Sequence, residues 1–201
     1  MTDLLLATTN RGKQRELGRL LTGLPGRVVT PQELGIELDV PEPHDTYAQN
    51  ATEKAEAYCR ASGLPALADD SGLEVAALDW GPGVQTGRYG GPDVSDPVGY
   101  LLERIAGARE RRARMVCWLA LALPGMGPDG TPSIELFNGV IEGNVATERR
   151  GSGGFGFDPI FETAAGVTTA ELPDAEKDRI SHRGQAVAAA LPRLREVLSR
   201  P

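Results

Sequence analysis

Two adjacent carboxylates, Asp69 and Asp70, close the apolar run Ala66-Leu67-Ala68 and are followed by Ser71-Gly72. Strand ends are where α/β folds place ligands. Neighbours in a strand point to opposite faces, so the two acids have different tasks. One can coordinate Mg²⁺ or activate water, and the other can orient a lysine. An ordinary Asp-Asp-Ser-Gly turn has the same composition. Glu42, between Pro41 and Pro43, is a candidate second acid for the metal; an exposed loop acid is its plainer reading.

A second constellation is Thr8-Thr9-Asn10-Arg11-Gly12-Lys13, where an apolar run passes directly into helical spacing. A helix N-terminus carries unsatisfied N–H groups and positive partial charge, which suit a phosphate. Thr8, Thr9 and Asn10 can donate hydrogen bonds, and Lys13 adds a compact cation. The pattern lacks the first Gly and the final Ser or Thr of a P-loop. A plain strand-to-helix turn with an Asn cap also accounts for it.

The third is Gly151-Ser152-Gly153-Gly154-Phe155-Gly156-Phe157-Asp158-Pro159. Its glycines let backbone approach a ligand closely. Phe155 offers a stacking face for a base, and Asp158 an acceptor; a turn with one core phenylalanine is the alternative. The fourth joins Lys177 to Ser181-His182-Arg183-Gly184. A Ser181 cap places His182 and Arg183 in the first turn of a helix, as donors to a carbonyl oxygen or a phosphate. Surface charge would look the same, but a cation there needs an offsetting anion or acceptor.

The elements that must position these groups follow from apolar spacing. Leu4 to Thr8 reads as a buried strand, and Leu17, Leu20, Leu21 and Leu24 as one face of a helix closed by Pro25-Gly26. Arg27–Thr30 and Ile36–Val40 read as strands. Asp45 can cap a helix that runs to Ser62 and stops at Gly63, with Tyr47, Asn50, Ala51, Lys54 and Tyr58 on one face. Asn50 and Lys54 are polar groups turned inward, so they need partners; a snorkelling lysine at the core rim is the plain alternative. Ala66–Asp69 and Leu73–Leu78 read as two strands, and Pro97–Ile105 as a helix. Arg112–Leu123 and Ile134–Val145 read as long antiparallel strands around a turn at Gly127-Pro128-Asp129-Gly130. The basic cluster Arg109, Arg111, Arg112 and Arg114 reads as a solvated connection balanced by Glu103 and Glu110. A last helix spans Ser181–Arg200, kinked or divided by Pro192. Helices and strands alternate early and long strands pair late, which predicts a mixed α/β sheet rather than a pure parallel one, and 201 residues fit one α/β domain or two small lobes sharing a core.

Composition narrows the class. The 201 residues carry a net charge of −7, which weighs against a nucleic-acid partner. Of the 21 basic residues only Lys13, Lys54 and Lys177 are lysines. Cys59 and Cys117 form no CxxC pair and sit among apolar neighbours, as reduced core residues do. With only His44 and His182 as histidines, a zinc site is poorly supplied, and any metal here should be a hard ion held by carboxylates, such as Mg²⁺. The start lacks a signal peptide's basic region, and Val116–Leu123 is too short to span a bilayer, so a cytoplasmic protein without membrane contact is expected.

In order, Thr8-x-Asn10-x-Gly12-Lys13, Asn50-Ala51-x-x-Lys54-Ala55, Ala68-Asp69-Asp70-Ser71-Gly72-Leu73, Pro82-Gly83-Val84 with Arg88-Tyr89, Gly154-Phe155-Gly156-Phe157-Asp158-Pro159 and Ser181-His182-Arg183-Gly184 resemble the inosine triphosphate pyrophosphatase family. The resemblance runs from Leu4 to about Leu198. It implies a single domain over 1–201, an elongated mixed α/β sheet with flanking helices and two lobes around a central active-site cleft, in a homodimer. It also implies Mg²⁺-dependent hydrolysis of ITP, dITP or XTP to the monophosphate and pyrophosphate. By motif match Asp70 becomes general base and metal ligand, Glu42 the other metal-binding acid and Lys13 a catalytic cation. Thr8, Thr9, Asn10, Arg11, Gly12, Lys13, Lys54, Ser71, Phe155, Gly156, Phe157, Asp158, Lys177, His182 and Arg183 become substrate-binding positions, with His182 and Arg183 donating toward a 6-oxo group. Thr9, Phe157, Thr86-Gly87 and Gly166-Val167-Thr168 depart from the family's usual residues, and bear on fine specificity rather than reaction type. Other readings are a pyrophosphatase for standard or modified nucleotides, and a nucleotide-binding protein without catalysis.

Overall fold

The computed structural model describes residues 2–125 and 130–199. Its elements run β1 (Leu4–Leu6), α1 (Arg11–Leu20), β2 (Val28–Val29), α2 (Tyr47–Ser62), β3 (Ala66–Val75), β4 (Gly81–Pro82), α3 (Pro97–Arg104), β5 (Arg112–Leu123), β6 (Ser133–Val145), β7 (Phe161–Glu162), α4 (Asp174–Ile180) and α5 (His182–Leu198). The strands form one mixed sheet in the order β2-β1-β3-β5-β6-β7, with β4 on β3. β1 is parallel to β2 and β3, whereas β4 and β7 are antiparallel to their partners. The mixed α/β class read from the sequence is therefore borne out.

The chain divides into two compact units. The first comprises Met1–Asp70, Cys117–Gly139 and Arg183–Pro201, and the second Ser71–Val116 and Val140–His182. In the first unit the sheet is covered on both faces, which explains the continuous Leu4-Leu5-Leu6 run. Leu4, Leu6, Leu67 and Leu119 pack with Leu17 and Leu21 and with Ala186, Val187, Ala190 and Leu194 of α5. Leu5, Ala7, Ala66, Ala68 and Ala120 pack with Ala51, Ala55 and Tyr58 of α2. Alanines on the strands let α2 come close. The second unit has its own core of Leu73, Val75, Leu101, Ile105, Met115, Phe157, Ile160 and Phe161.

Several expectations change. Ile36–Val40 forms no strand; it is loop, with Leu38 carbonyl held by the Tyr58 hydroxyl at 3.2 Å. Thr46, not Asp45, caps α2, its Oγ1 accepting from Gln49 N–H at 3.3 Å. Ala66–Asp69 and Leu73–Leu78 are not two strands: β3 is continuous to Val75 through Ser71-Gly72. Pro192 does not divide α5, because its apolar stripe on both sides, Val187 and Ala190 then Leu194 and Leu198, is buried in one core. Arg111 is no solvated residue: its guanidinium donates to the carbonyls of Ile105, Val145 and Ala146. Apart from Gly130, the turn at Gly127–Gly130 falls outside the described residues.

Candidate active site

Alternation along β3 separates the paired acids. Leu67 and Asp69 face α1 and α5, while Ala66, Ala68 and Asp70 face α2. On the first face Asp69 is 0 % exposed, with Oδ2 3.1 Å from Lys13 Nζ and 3.3 Å from Arg183 Nη2. Arg183 Nη1 donates to Glu16 Oε2 at 2.5 Å. Two buried anions and two cations thus alternate, and Asp69 and Glu16 are the counter-charges that a cation in the first turn of α5 requires. Burial pushes the Asp69 carboxyl up, but Lys13, Arg183 and Lys54 outweigh it and hold it well below the ordinary aspartate range. Burial likewise opposes the Arg183 charge, yet Asp69 and its other partners hold the guanidinium pKa above its usual value.

On the α2 face the chemistry differs. Asn50 and Lys54, one turn apart, both point at Asp69-Asp70 in the middle of β3. Asn50 Nδ2 donates to Asp70 Oδ2 at 3.0 Å. Lys54 Nζ donates to Glu42 Oε1 at 2.5 Å and to the Asp69 carbonyl at 2.7 Å, with Asp70 Oδ1 4.0 Å away. Asp69 therefore orients Lys54 through its backbone, not its side chain. Burial raises the Asp70 pKa above the ordinary value; Lys54, Lys13 and the Asn50 bond offset this only in part. Burial lowers the Lys54 pKa, but Asp69, Asp70 and Glu42 outweigh it and raise the pKa above its usual value. Cys117 lies in the same unit, and burial with the nearby Asp69 charge pushes its thiol up to about 12, so it is no nucleophile.

The segment entering α1 is organised by its own side chains. Asn10 Oδ1 accepts from the N–H groups of Gly12 and Lys13 at 2.9 and 3.1 Å. Those two N–H groups, expected to be open to a phosphate, are taken up by the cap. Thr8 Oγ1 accepts from Asn10 N–H at 3.3 Å, and Gln14 Nε2 ties the Thr8 carbonyl at 2.8 Å to Gln32 Oε1 at 3.1 Å. Thr9 and Arg11 are exposed. A cavity of about 610 Å³ opens beside Thr9, lined by Gln32, Gly35, Ile36, Glu37, Leu38 and Asp39. That size suits a small-molecule site.

In the second unit Asp158 is the organiser of the glycine loop, not an open acceptor. Its Oδ2 accepts from Phe155 N–H at 2.7 Å and from Lys177 Nζ at 2.6 Å, and its Oδ1 from Thr169 Oγ1 at 2.7 Å. Lys177, on α4, also lies 5.7 Å from the centre of the Phe155 ring, a cation–π contact on one side of that ring. Phe155 is half-buried and Gly156 exposed. Phe157, however, is buried in the apolar core with Ile160 and Phe161. Gly154 has φ +69°, and a Cβ on it would sit 2.1 Å from Asp158 Oδ2. Ser71 is half-buried on β3, and buried His182 opens α5.

The first unit thus brings together Lys13, Glu42, Lys54, Asp69, Asp70 and Arg183, and the second Phe155, Asp158 and Lys177. Sequence reasoning missed Glu16 and Thr169. Glu16 had a signal, three residues after Lys13 on one helix face; Thr169 had none. The Ham1 family profile matches residues 4–193. The chain belongs to the Ham1 family. A Ham1 relative named dITP/XTP pyrophosphatase in Chromobacterium violaceum is 44 % identical over 196 residues, covering 96 % of this chain and 97 % of that one. Another of that name in Syntrophobacter fumaroxidans is 45 % identical over 187 residues, covering 92 % and 78 %. The solved HAM1 protein of Coxiella burnetii is 39 % identical with a TM-score of 0.84, covering 98 % of this chain and 100 % of that one. The mixed α/β fold and the family resemblance read from the motifs are both borne out.

Proposed function

We propose that this chain hydrolyses ITP, dITP and XTP to the nucleoside monophosphate and pyrophosphate, removing deaminated purines from the nucleotide pool. The observation that carries the reaction type is the contrast between the two acids. Asp69 is neutralised by Lys13 and Arg183, whereas Asp70 is held by the neutral amide of Asn50 with Lys54 Nζ 4.0 Å from Oδ1. Asp70 remains the basic carboxylate. The substrate class is supported by the relatives named dITP/XTP pyrophosphatase.

In the proposed step Asp70 takes a proton from water as the water oxygen bonds to the α-phosphorus. The bond from that phosphorus to the bridging oxygen breaks, and its electron pair leaves with pyrophosphate. Such general-base help is worth about 10²–10⁴-fold. Lys13 and Lys54 offset charge on the phosphates. In the second unit, Phe155 presents an aromatic face suited to a purine, and His182 a donor for a 6-oxo group that adenine lacks.

Glu42 and Asp70 are hard oxygen donors of the kind Mg²⁺ takes. Among the described residues no group of three or more His, Cys, Asp or Glu is arranged to hold an ion. Two carboxylates still fit Mg²⁺, which keeps waters and draws its remaining ligands from substrate phosphates. When bound, it would screen phosphate charge and lower the pKa of a coordinated water. No helix among the described residues is long and apolar enough to cross a membrane. The working form proposed from the family resemblance is a cytoplasmic homodimer, which light scattering on the purified protein tests.

The deciding assay incubates the protein with Mg²⁺ and ITP, dITP, XTP, ATP, GTP or dTTP and measures pyrophosphate and orthophosphate separately. Pyrophosphate from the first three substrates is expected. Equal rates on ATP would remove the purine specificity. Orthophosphate as the primary product would remove attack at the α-phosphorus, and no turnover of any nucleotide would leave a binding protein.

A further inference from the structure

Asn50 is 0 % exposed, on the α2 face that meets β3 at its middle. Its carboxamide makes three hydrogen bonds. Oδ1 accepts from the His44 N–H at 3.0 Å, and Nδ2 donates to the His44 carbonyl at 3.2 Å and to Asp70 Oδ2 at 3.0 Å. The orientation is chemically forced. A backbone N–H can only donate, so Oδ1 must face His44, and both Nδ2 hydrogens then face acceptors.

One turn later Lys54 makes the equivalent bridge, from Glu42 Oε1 to the Asp69 carbonyl. Two rungs from one helix therefore tie residues 42–44 to residues 69–70. The Lys54 rung carries charge and reaches Glu42 directly. The Asn50 rung is neutral and grips backbone two residues beyond Glu42. A base must be held at a fixed orientation toward the water it activates, and the buried amide fixes the Asp70 carboxylate at Oδ2.

We propose that Asn50 is a positioning residue for the hydrolytic reaction. Its amide sets the rotation of the Asp70 carboxylate and holds it in register with the segment that carries Glu42. This rests on Asp70 acting as the base in the function proposed above. The Asn50 carboxamide binds the base and the strap beside Glu42.

The test compares the wild type with Asn50→Asp and Asn50→Ala, by thermal melting and by steady-state pyrophosphate release from ITP. Asp at 50 is nearly isosteric and keeps an acceptor for the His44 N–H, but it has no donor for Asp70. For Asn50→Asp the expected result is a cooperative melt, kcat reduced about 10²-fold and KM changed by less than about threefold. A folded Asn50→Asp with kcat close to wild type would overturn the proposal. So would kcat and KM worsening in proportion, which marks general loosening. If neither variant gives a cooperative melt, Asn50 is a folding residue and the proposal also falls. Absence of pyrophosphate release by the wild type would instead sink the function on which this rests, and the wild-type control reads that separately.

Discussion

Asp69 and Asp70 are neighbours in the chain, yet their carboxylates have opposite electrostatic fates on opposite faces of β3. Asp69 lies within 3.3 Å of two cations and titrates below an ordinary aspartate; Asp70 is gripped by an amide and titrates above one. The same substitution should therefore have opposite effects at the two positions. Asp69→Asn takes the anion from Lys13 and leaves buried Arg183 with Glu16 alone, and is expected to cost about 3–5 kcal/mol. Asp70→Asn removes a charge that burial disfavours and is expected to leave stability at pH 7 unchanged or raise it by about 0.5–2 kcal/mol, while abolishing turnover. Denaturant unfolding of both variants, with pyrophosphate release, checks the pair. Near-normal activity in Asp70→Asn would remove it from its role.

The pH dependence should show the same split. The Asp69 carboxyl is depressed in the folded state below the usual 3.8. Its contribution to stability is complete above that value and is lost as pH falls beneath it toward the folded pKa. Asp70 is raised above 3.8. A base works only when deprotonated, so kcat/KM should fall with acidification while the protein is still fully folded. Activity and far-ultraviolet circular dichroism measured over one pH series check this. Coincident loss of rate and structure would mean that acid unfolding, not Asp70, sets the limb.

The lysines give a further prediction. Lys13 Nζ sits 3.1 Å from Asp69 Oδ2, beside the Arg183 guanidinium that shares the same oxygen. An arginine at 13 would add a planar fork where a point charge fits. Lys13→Arg is expected to reduce kcat/KM by at least about tenfold, which is about 1.4 kcal/mol of transition-state binding, with a melting midpoint within a few degrees of wild type. A variant as active as wild type would show that charge alone matters at this position.

Much of this arrangement was legible before any coordinates. The period of two along Leu67-Ala68-Asp69-Asp70 separates the acids, and the spacing of Asn50 and Lys54 sets both on one face of α2. What the spacing could not convey is pairing across the chain. Arg183 reads as a donor for substrate because its helix position is visible, while Glu16, 167 residues away in sequence, is not visibly its partner. Asp158 reads as an open acceptor for the same reason: Phe155 N–H is local, but Lys177 and Thr169 arrive from separate segments. The strand split at Ser71-Gly72 also failed. Turn propensity there is overridden by ladder bonds and by apolar residues on both sides, Ala68 and Leu73.

Gly154 offers the sharpest test of the second unit. Its φ of +69° disfavours any residue with a Cβ, and that Cβ would lie 2.1 Å from Asp158 Oδ2 and 2.7 Å from Lys177 Nζ. Ala at 154 must therefore push Asp158 off Lys177 or shift the loop that carries Phe155. The backbone strain alone costs about 1 kcal/mol or more. If the Asp158–Lys177 pair serves to hold Phe155 for a purine, Gly154→Ala should raise KM for ITP at least as much as it lowers kcat. Ser152, exposed two residues earlier in the same loop, provides the control, since Ser152→Ala meets no such contact. Melting curves and steady-state kinetics on both variants decide it. A Gly154→Ala protein with unchanged KM would mean that the Phe155 loop takes no part in nucleotide binding.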